Sequence, residues 1–209
     1  MNKDSKIGKT IHLIRHGETD FNQQGIIQGS GVNSDLNDKG RWQAQRFFEV
    51  YQSAEYKRIY TSELNRAKQS VEAFIESGIP HTVHAGLNEI NWGIMEGKPS
   101  TPERHQIYQH IIENWTNGNL DIAVENGETP LTLFEKQKLA LAHLMEQSDE
   151  DLVLICMHGR AMRSFLCLLT NAPLQQMEQW EHTNLCLYEL TYNGLHFDIV
   201  RACDIAHLQ

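Results

Sequence analysis

One run of six residues limits the possible folds more than any other part of the sequence. Leu152–Met157 is apolar at every position and stops abruptly at the pair His158-Gly159. A strand with one face in water alternates apolar and polar side chains, whereas an unbroken run indicates a strand covered on both faces. Such strands occur in parallel sheets that carry helices on both sides. The run therefore predicts the centre of a layered α/β domain.

The rest of the chain alternates strand-like and helix-like segments, as such a domain requires. Further strands are predicted at residues 10–14, 58–61, 82–84, 184–192 and 196–202. Helices are predicted at residues 38–51, with Trp42, Phe47, Val50 and Tyr51 on one side, and at 64–76, 130–147 and 161–169. Asn193-Gly194 between the last two strands indicates a hairpin. We therefore expect a three-layer α/β/α fold with a mostly parallel central sheet and an antiparallel edge strand.

The length and composition predict one folded unit. Of the 209 residues, 40% are hydrophobic, which is enough apolar material to offset the entropy of ordering the chain. Residues 1–9 are polar and carry lysines, so we expect a flexible N-terminal tail followed by a single domain at residues 10–209. This tail lacks the apolar stretch of a signal peptide, and we expect a cytoplasmic protein.

Charge and cysteine content argue against several classes of function. With 18 Lys and Arg against 27 Asp and Glu, the net charge of −9 does not attract nucleic acid. This net charge still allows a pocket that is basic locally. No apolar run approaches the roughly 20 residues of a membrane helix. The four cysteines have no C-x-x-C spacing and are not paired with histidines at ligand spacing. We therefore expect reduced thiols, no metal site and no cofactor.

Two predicted strands end on the same dipeptide. His16-Gly17 follows the strand at residues 10–14, and His158-Gly159 follows the central run. The carboxyl ends of parallel strands meet at one edge of a sheet, where ligands bind. A glycine lets the backbone turn sharply and approach a ligand closely. Either histidine alone could be a hydrogen-bonded core residue, but together, with Arg15 before the first, they indicate a site in one crevice.

Several motifs around these histidines follow one another along the chain. They are Leu13-Ile14-Arg15-His16-Gly17-Glu18-Thr19-x-x-Asn22, Gln28-Gly29, Leu36-x-x-x-Gly40-x-x-Gln43-Ala44, Thr61-Ser62-x-Leu64-x-Arg66-Ala67-x-Gln69-Ser70, Leu87-x-Glu89 with Trp92-Gly93-x-x-Glu96-Gly97, Gly127-Glu128-Thr129 and His158-Gly159. The set, which spans about residues 11–190, resembles the motifs of the histidine phosphatase superfamily in its phosphoglycerate mutase-like branch. The resemblance implies the fold expected above and an enzyme that transfers phosphoryl groups.

The resemblance implies a catalytic set of His16, Glu89, His158, Arg15 and Arg66. In this family the first histidine is the nucleophile and becomes a phosphohistidine, while a backbone carbonyl, here that of Gly17, holds its other ring nitrogen. The two guanidinium groups bind phosphate oxygens, and the second histidine, if protonated, adds a third positive charge. The glutamate gives a proton to the leaving group and later takes one from water.

A second set would line the pocket and contact phosphate or substrate: Thr19, Asn22, Gln28, Gly29 and Gly159. The first two could instead be turn or cap residues. Glu128 is expected to close a turn or cap the following helix, and His182 is expected to be structural. Arg160, where many relatives have glycine, and Arg163 either contact an anionic substrate or face solvent.

The resemblance covers two reactions. Phosphoglycerate mutases return the phosphoryl group to a glycerate, which they hold with a tyrosine and an arginine pair. Here Trp92 takes the place of the tyrosine, and residues 114–117 read Asn-Trp-Thr-Asn where the arginine pair is expected. Water can then replace the glycerate as acceptor. We therefore expect a metal-independent phosphomonoesterase of the histidine acid phosphatase type, with a small phosphorylated metabolite as its substrate.

Two alternatives stay open. One is a phosphoglycerate mutase that depends on 2,3-bisphosphoglycerate. The other, from a different class, is a catalytically inactive module that binds phosphate and serves in an interaction. The completeness of the catalytic set argues against the inactive module, because all five residue types are present. The sequence also leaves a homodimer open.

Overall fold

The computed structural model describes residues 8–209, and most of the predicted tail, residues 1–7, lies outside that range. The strands are β1 (Thr10–Arg15), β2 (Arg58–Thr61), β3 (His81–Val83), β4 (Leu152–Met157), β5 (Leu187–Tyr192) and β6 (Phe197–Asp204). The helices are α1 (Asp20–Gln23), α2 (Asp38–Tyr51), α3 (Asn65–Gln69), α4 (Glu72–Glu76), α5 (Pro102–Thr116), α6 (Pro130–Glu146) and α7 (Gly159–Thr170). Short 3₁₀ turns occupy Ala85–Leu87, Gly93–Met95, Leu174–Gln179 and Ala206–Leu208.

The six strands form one mixed sheet in the order β3-β2-β4-β1-β5-β6. The first four strands in that order pair in parallel, and β5 and β6 add an antiparallel edge. This arrangement confirms the predicted fold class. The central run, β4, lies between β2 and β1, which explains why none of its positions is polar.

Alternate residues of the two central strands feed two apolar cores on opposite faces of the sheet. Leu13 and Ile155 belong to the larger core, which also takes in side chains of α5, α6 and α7. Ile14 and Cys156 belong to the smaller core, which includes Phe47 of α2. The period-two alternation of a strand thus places helices on both faces, as a three-layer architecture requires.

Two details of the helices differ from the predictions. The segment at residues 64–76 forms two short helices, α3 and α4, and the Ser70 hydroxyl donates to the Arg66 carbonyl 2.6 Å away at the end of the first of them. In α2 the predicted apolar side is only partly buried: Phe47 is enclosed, whereas Trp42 and Val50 are each 48% exposed.

The described chain begins with an anchored lysine. Lys9, the last residue of the predicted tail, is buried, and its Nζ donates to the carbonyls of Leu144 at 2.8 Å and Gln147 at 2.9 Å. These carbonyls lie at the end of α6, where a positive charge also complements the helix dipole. Lys9 is therefore anchored to α6 rather than part of a flexible tail. Within residues 8–209, no helix is long and apolar enough to cross a membrane.

Candidate active site

The two histidines lie side by side at the carboxyl edge of the sheet. The strands β1 and β4 pair in parallel with Arg15 opposite Met157, so the residues after each strand meet. The His16 amide donates to the Met157 carbonyl at 3.0 Å, and the ring centroids of His16 and His158 are 5.1 Å apart. The structure thus brings the two strand ends together at one edge of the sheet, with His16 lining the cavity and His158 next to it.

A backbone carbonyl fixes the ring of His16. Its Nδ1 lies 2.7 Å from the Gly17 carbonyl oxygen, which can only accept, so Nδ1 carries the proton and Nε2 keeps its lone pair. Burial, together with the positive charges of Arg66 and Arg15, holds the pKa of His16 well below its usual range. The imidazole is therefore neutral and nucleophilic at neutral pH.

The loop after β1 is held by close contacts with its neighbours. The Gly17 amide donates to the Ser70 hydroxyl at 2.9 Å. A Cβ on Gly17 would lie 2.7 Å from the carbonyl oxygen of Gly40, in the first turn of α2. Glycine is therefore required at position 17 by this backbone approach, which also fixes the carbonyl that orients His16.

The guanidinium of Arg15 contacts a third histidine. Its Nη1 lies 3.2 Å from Nδ1 of His182, which acts as the acceptor because arginine has only donors. Burial and the charge of Arg15 lower the pKa of His182 to about 3, so this ring is neutral. The His182 ring also packs on Gly159, where a Cβ would come within 3.1 Å of its Cε1.

Arg66 and His158 form a buried chain behind His16. Arg66 Nε donates to His158 Nδ1 at 3.2 Å, and His158 Nε2 lies 2.7 Å from the Ser62 hydroxyl. Burial and Arg66 hold the pKa of His158 well below its usual range, whereas burial lowers that of Arg66 only to about 10. The expectation that His158 supplies a third positive charge is therefore wrong for this state. Its ring is neutral because a charged guanidinium donates to it.

The carboxyl group of Glu89 lies against the first turn of α7. One carboxyl oxygen accepts from the amides of Ile90 at 2.9 Å and Ala161 at 2.8 Å, and the other accepts from the amide of Arg160 at 3.0 Å. These donors include free N–H groups of the first helical turn, so the helix itself orients the carboxyl group.

Several of these groups line a cavity of about 300 Å³. Six of the ten predicted site residues line it: Arg15, His16, Asn22, Gln28, Glu89 and Gly159. Four do not: Thr19, Gly29, Arg66 and His158. The last two lie behind the nucleophile, and their orienting contacts are with backbone and side chains rather than with the cavity.

Thr19 and Gly29 brace the pocket instead of lining it. Thr19 is fully buried, caps α1 by accepting from the Asn22 amide at 3.1 Å, and accepts from Gln28 Nε2 at 2.8 Å. A Cβ on Gly29 would lie 1.8 Å from Oε1 of Glu96. That carboxylate accepts from the Trp92 amide at 2.8 Å in its own loop and from the Gly31 amide, and so ties the two loops together. Substrate contact by Thr19 and Gly29 stays a prediction, and in this structure both residues lie outside the cavity lining.

Comparison with known proteins decides the family. Residues 11–205 match the model of the histidine phosphatase superfamily (branch 1). The chain belongs to the histidine phosphatase superfamily. This membership, with the site geometry above, makes the chain an enzyme of the phosphatase or mutase type.

Relatives in this superfamily carry both kinds of name. A Citrobacter koseri protein named "Probable phosphoglycerate mutase GpmB" is 29% identical over 209 residues, covering 95% of this chain and 94% of that protein. The structure of Bacillus stearothermophilus YhfR has a TM-score of 0.83 at 25% identity, over 96% of this chain and 100% of that one. Mycobacterial glucosyl-3-phosphoglycerate phosphatase has a TM-score of 0.83 at 20% identity, over 94% and 100% of the two chains.

Sequence reasoning missed two residues that lie at the site just before β5. His182, expected to be structural, lines the cavity, and Asn184 Nδ2 donates to the His16 carbonyl at 2.9 Å. A signal was available, because an edge strand antiparallel to β1 must begin at the carboxyl end of β1. The predicted strand at residues 184–192 therefore starts next to the nucleophile.

The open question about the two arginines of α7 has a structural answer. Arg160 is buried, lines the cavity, donates to the Tyr108 hydroxyl at 2.8 Å and pairs with Glu178. Arg163 pairs with the same carboxylate. Arg160 also lies 5.7 Å from the ring centroid of Trp115. Its charge thus links α7 to α5 and is already matched by a partner.

Glu128 neither closes a turn through its side chain nor caps α6. It pairs with Lys136 at 2.6 Å and accepts from the Asn91 amide at 3.3 Å. Thr129 is the cap residue, since its hydroxyl accepts from the Thr132 amide at 3.1 Å. Glu128 therefore holds the loop after Glu89 against α6.

Proposed function

We propose that this protein is a phosphomonoesterase that works without a metal, through a phosphohistidine at His16, on a small phosphorylated metabolite. One observation carries the proposal. His16 Nδ1 donates its hydrogen to the Gly17 carbonyl, which leaves the Nε2 lone pair of a neutral imidazole beside a cavity that Arg15 and Glu89 also line.

The first half-reaction transfers the phosphoryl group to the protein. The Nε2 lone pair of His16 forms a bond to phosphorus as the bond from phosphorus to the ester oxygen breaks. Glu89 gives its proton to that oxygen, so the leaving group departs as an alcohol. Arg15 stabilises the charge on the phosphoryl oxygens directly, and Arg66 adds its field from behind the nucleophile.

The second half-reaction returns the protein to its first state. Water gives a proton to the Glu89 carboxylate while its oxygen bonds to phosphorus, and the bond from phosphorus to His16 Nε2 breaks. Inorganic phosphate leaves, the imidazole regains its lone pair, and Glu89 is protonated again. The backbone amides that hold Glu89 keep the carboxyl group in place through both steps.

The segment at residues 114–117 supports hydrolysis over the mutase reaction. None of residues 114–117 lines the cavity, and Trp115 is buried at 1% exposure with its ring 5.4 Å from that of Trp92. Where the mutases carry an arginine pair, Trp115 therefore packs into the core, and the other three residues lie outside the cavity lining. The mutase remains the second candidate, because the Citrobacter koseri relative carries that name.

The first experiment measures hydrolysis of p-nitrophenyl phosphate in the presence of EDTA. We expect turnover in the wild-type protein and a loss of about a thousandfold or more in His16→Ala, because the nucleophile is removed. His110→Ala is the matched control, since His110 is exposed and outside the cavity. Activity that requires added Mg²⁺, or that survives in His16→Ala, contradicts the proposal.

A second experiment separates the candidates. Mass spectrometry after a brief reaction and an alkaline quench should detect acid-labile phosphate on His16. The same protein given 3-phosphoglycerate and 2,3-bisphosphoglycerate should release phosphate faster than it forms 2-phosphoglycerate. Faster isomerisation establishes the mutase. Phosphate binding without turnover of any ester establishes the inactive module.

A further inference from the structure

The lining of the cavity contains two cationic residues that the proposed reaction does not use. Lys98 and Arg104 line it, the first in the loop after Glu89 and the second in the first turn of α5. Arg104 Nη1 donates to the Pro99 carbonyl at 2.9 Å, which holds the guanidinium in place. Neither side chain forms an ion pair with any carboxylate of residues 8–209.

The other charges of the cavity are accounted for. Arg160 pairs with Glu178, which does not line the cavity. Glu89 is the only carboxylate in the lining, and three backbone amides hold it. Lys98 and Arg104 therefore add two positive charges to the lining that have no ion-pair partner among residues 8–209.

The chemistry of these two side chains favours an anion. The Arg104 guanidinium uses one N–H group to donate to a carbonyl and keeps further N–H groups free for a carboxylate or phosphate. The lysine ammonium adds a second positive charge. The nearby rings of Trp92 and Tyr108, 5.2 Å apart, give the wall an apolar face. A partly enclosed cavity also strengthens the attraction relative to open solvent.

We propose that Lys98 and Arg104 form a subsite for a second anionic group on the leaving alcohol, a carboxylate or a second phosphate. This inference deepens the proposed function and rests on it, since it assigns the chemistry of the substrate beyond its scissile phosphate.

The test compares kcat/KM within matched pairs of esters. The carboxylate pair is 3-phosphoglycerate and glycerol 3-phosphate, and the phosphate pair is fructose 1,6-bisphosphate and fructose 1-phosphate. We expect the wild-type protein to prefer the more anionic member of at least one pair by about tenfold or more, the order expected for a charge-assisted hydrogen bond. Higher salt should reduce the preference, because screening weakens charge attraction.

The double variant Lys98→Met with Arg104→Gln should lower that preference to below threefold. The control is Lys57→Met with Arg41→Gln, which removes the same charge from exposed residues outside the cavity and should keep the preference. A wild-type protein without preference in either pair, or a Lys98/Arg104 variant that retains it, overturns the subsite.

The two proposals fail in different ways. If the wild-type protein hydrolyses p-nitrophenyl phosphate but does not discriminate within either pair, the phosphatase stands and the subsite is wrong. If it hydrolyses no ester, the phosphatase proposal is wrong, and calorimetric affinities for the same compounds test the subsite. The tenfold preference must then appear in Kd and disappear in the Lys98/Arg104 variant.

Discussion

At the scale of single residues, the contact between Arg15 and His182 makes a sharp prediction. His182 offers its only unprotonated nitrogen to Arg15 and lines the cavity, so it orients a guanidinium that would hold phosphate. We expect His182→Ala to lower kcat/KM for p-nitrophenyl phosphate about tenfold or more, the cost of a lost charge-assisted hydrogen bond.

The form of that loss separates positioning from folding. His182→Gln keeps an acceptor and should recover part of the activity, whereas His182→Leu should not. Inhibition by vanadate should weaken in parallel with the activity, since both depend on Arg15. Unchanged vanadate affinity in His182→Ala means that this histidine does not position Arg15.

Arg66 and His182 show how far a sequence predicts single residues of the site. The motifs identify the types of the catalytic residues, but they do not show which way each side chain points. Arg66 turns its donors to His158 and to the carbonyls of Val32 and Gly29, and these partners are far away along the chain. His182 lies in no motif, and only the pairing of β5 with β1 brings it to the site.

At the scale of elements, the first turn of α2 fits closely against the loop after β1. A Cβ on Gly40 would lie 2.1 Å from the Glu18 carbonyl oxygen, a backbone atom that cannot move without shifting the loop. We expect Gly40→Ala to lower the free energy of unfolding by about 2 kcal/mol, as forced overpacking does, measured by urea titration. Gly8→Ala, with nothing within 4 Å, should stay within about 0.5 kcal/mol of wild type.

This prediction also reaches the site. The same loop carries the Gly17 carbonyl that orients His16, so kcat of Gly40→Ala should fall under conditions where the variant is still folded. Full activity in a destabilised Gly40→Ala protein contradicts the proposed link between the two elements.

Which elements were predictable depends on what shapes them. β4 was predictable because burial on both faces removes polar residues from the sequence itself. The break between α3 and α4 was not, and it falls at a serine whose hydroxyl accepts from the Gly17 amide, over fifty positions earlier in the chain. Distant contacts leave no periodic pattern to read.

At the scale of the whole molecule, the site lies where the two cores meet the carboxyl edge of the sheet. Residues from β1, α3, β4 and the segment before β5 converge there, and the side chains of His16, Arg66 and His158 are buried. Three histidines, His16, His158 and His182, are kept neutral by burial and by neighbouring arginines. The arrangement that suits a nucleophile therefore also makes folding sensitive to protons.

The sign of that sensitivity follows from linkage. In the unfolded chain each of these histidines has a pKa near 6.5, and in the folded protein each pKa is lower. Below pH 6.5 the unfolded chain therefore binds more protons, so the free energy of unfolding falls as pH falls. Each histidine contributes a slope of up to about 1.4 kcal/mol per pH unit.

Urea titrations at pH 7.5, 6.5 and 5.5 should show the loss of unfolding free energy begin below pH 6.5, in a range above the usual titration of carboxyl groups. His158→Asn should reduce the slope by removing one proton-binding group, whereas Ser62→Ala, which breaks the hydrogen bond to the same ring, should lower stability and keep the slope. An unfolding free energy that stays flat from pH 7.5 to 5.5 would mean that these rings are not held neutral by the fold.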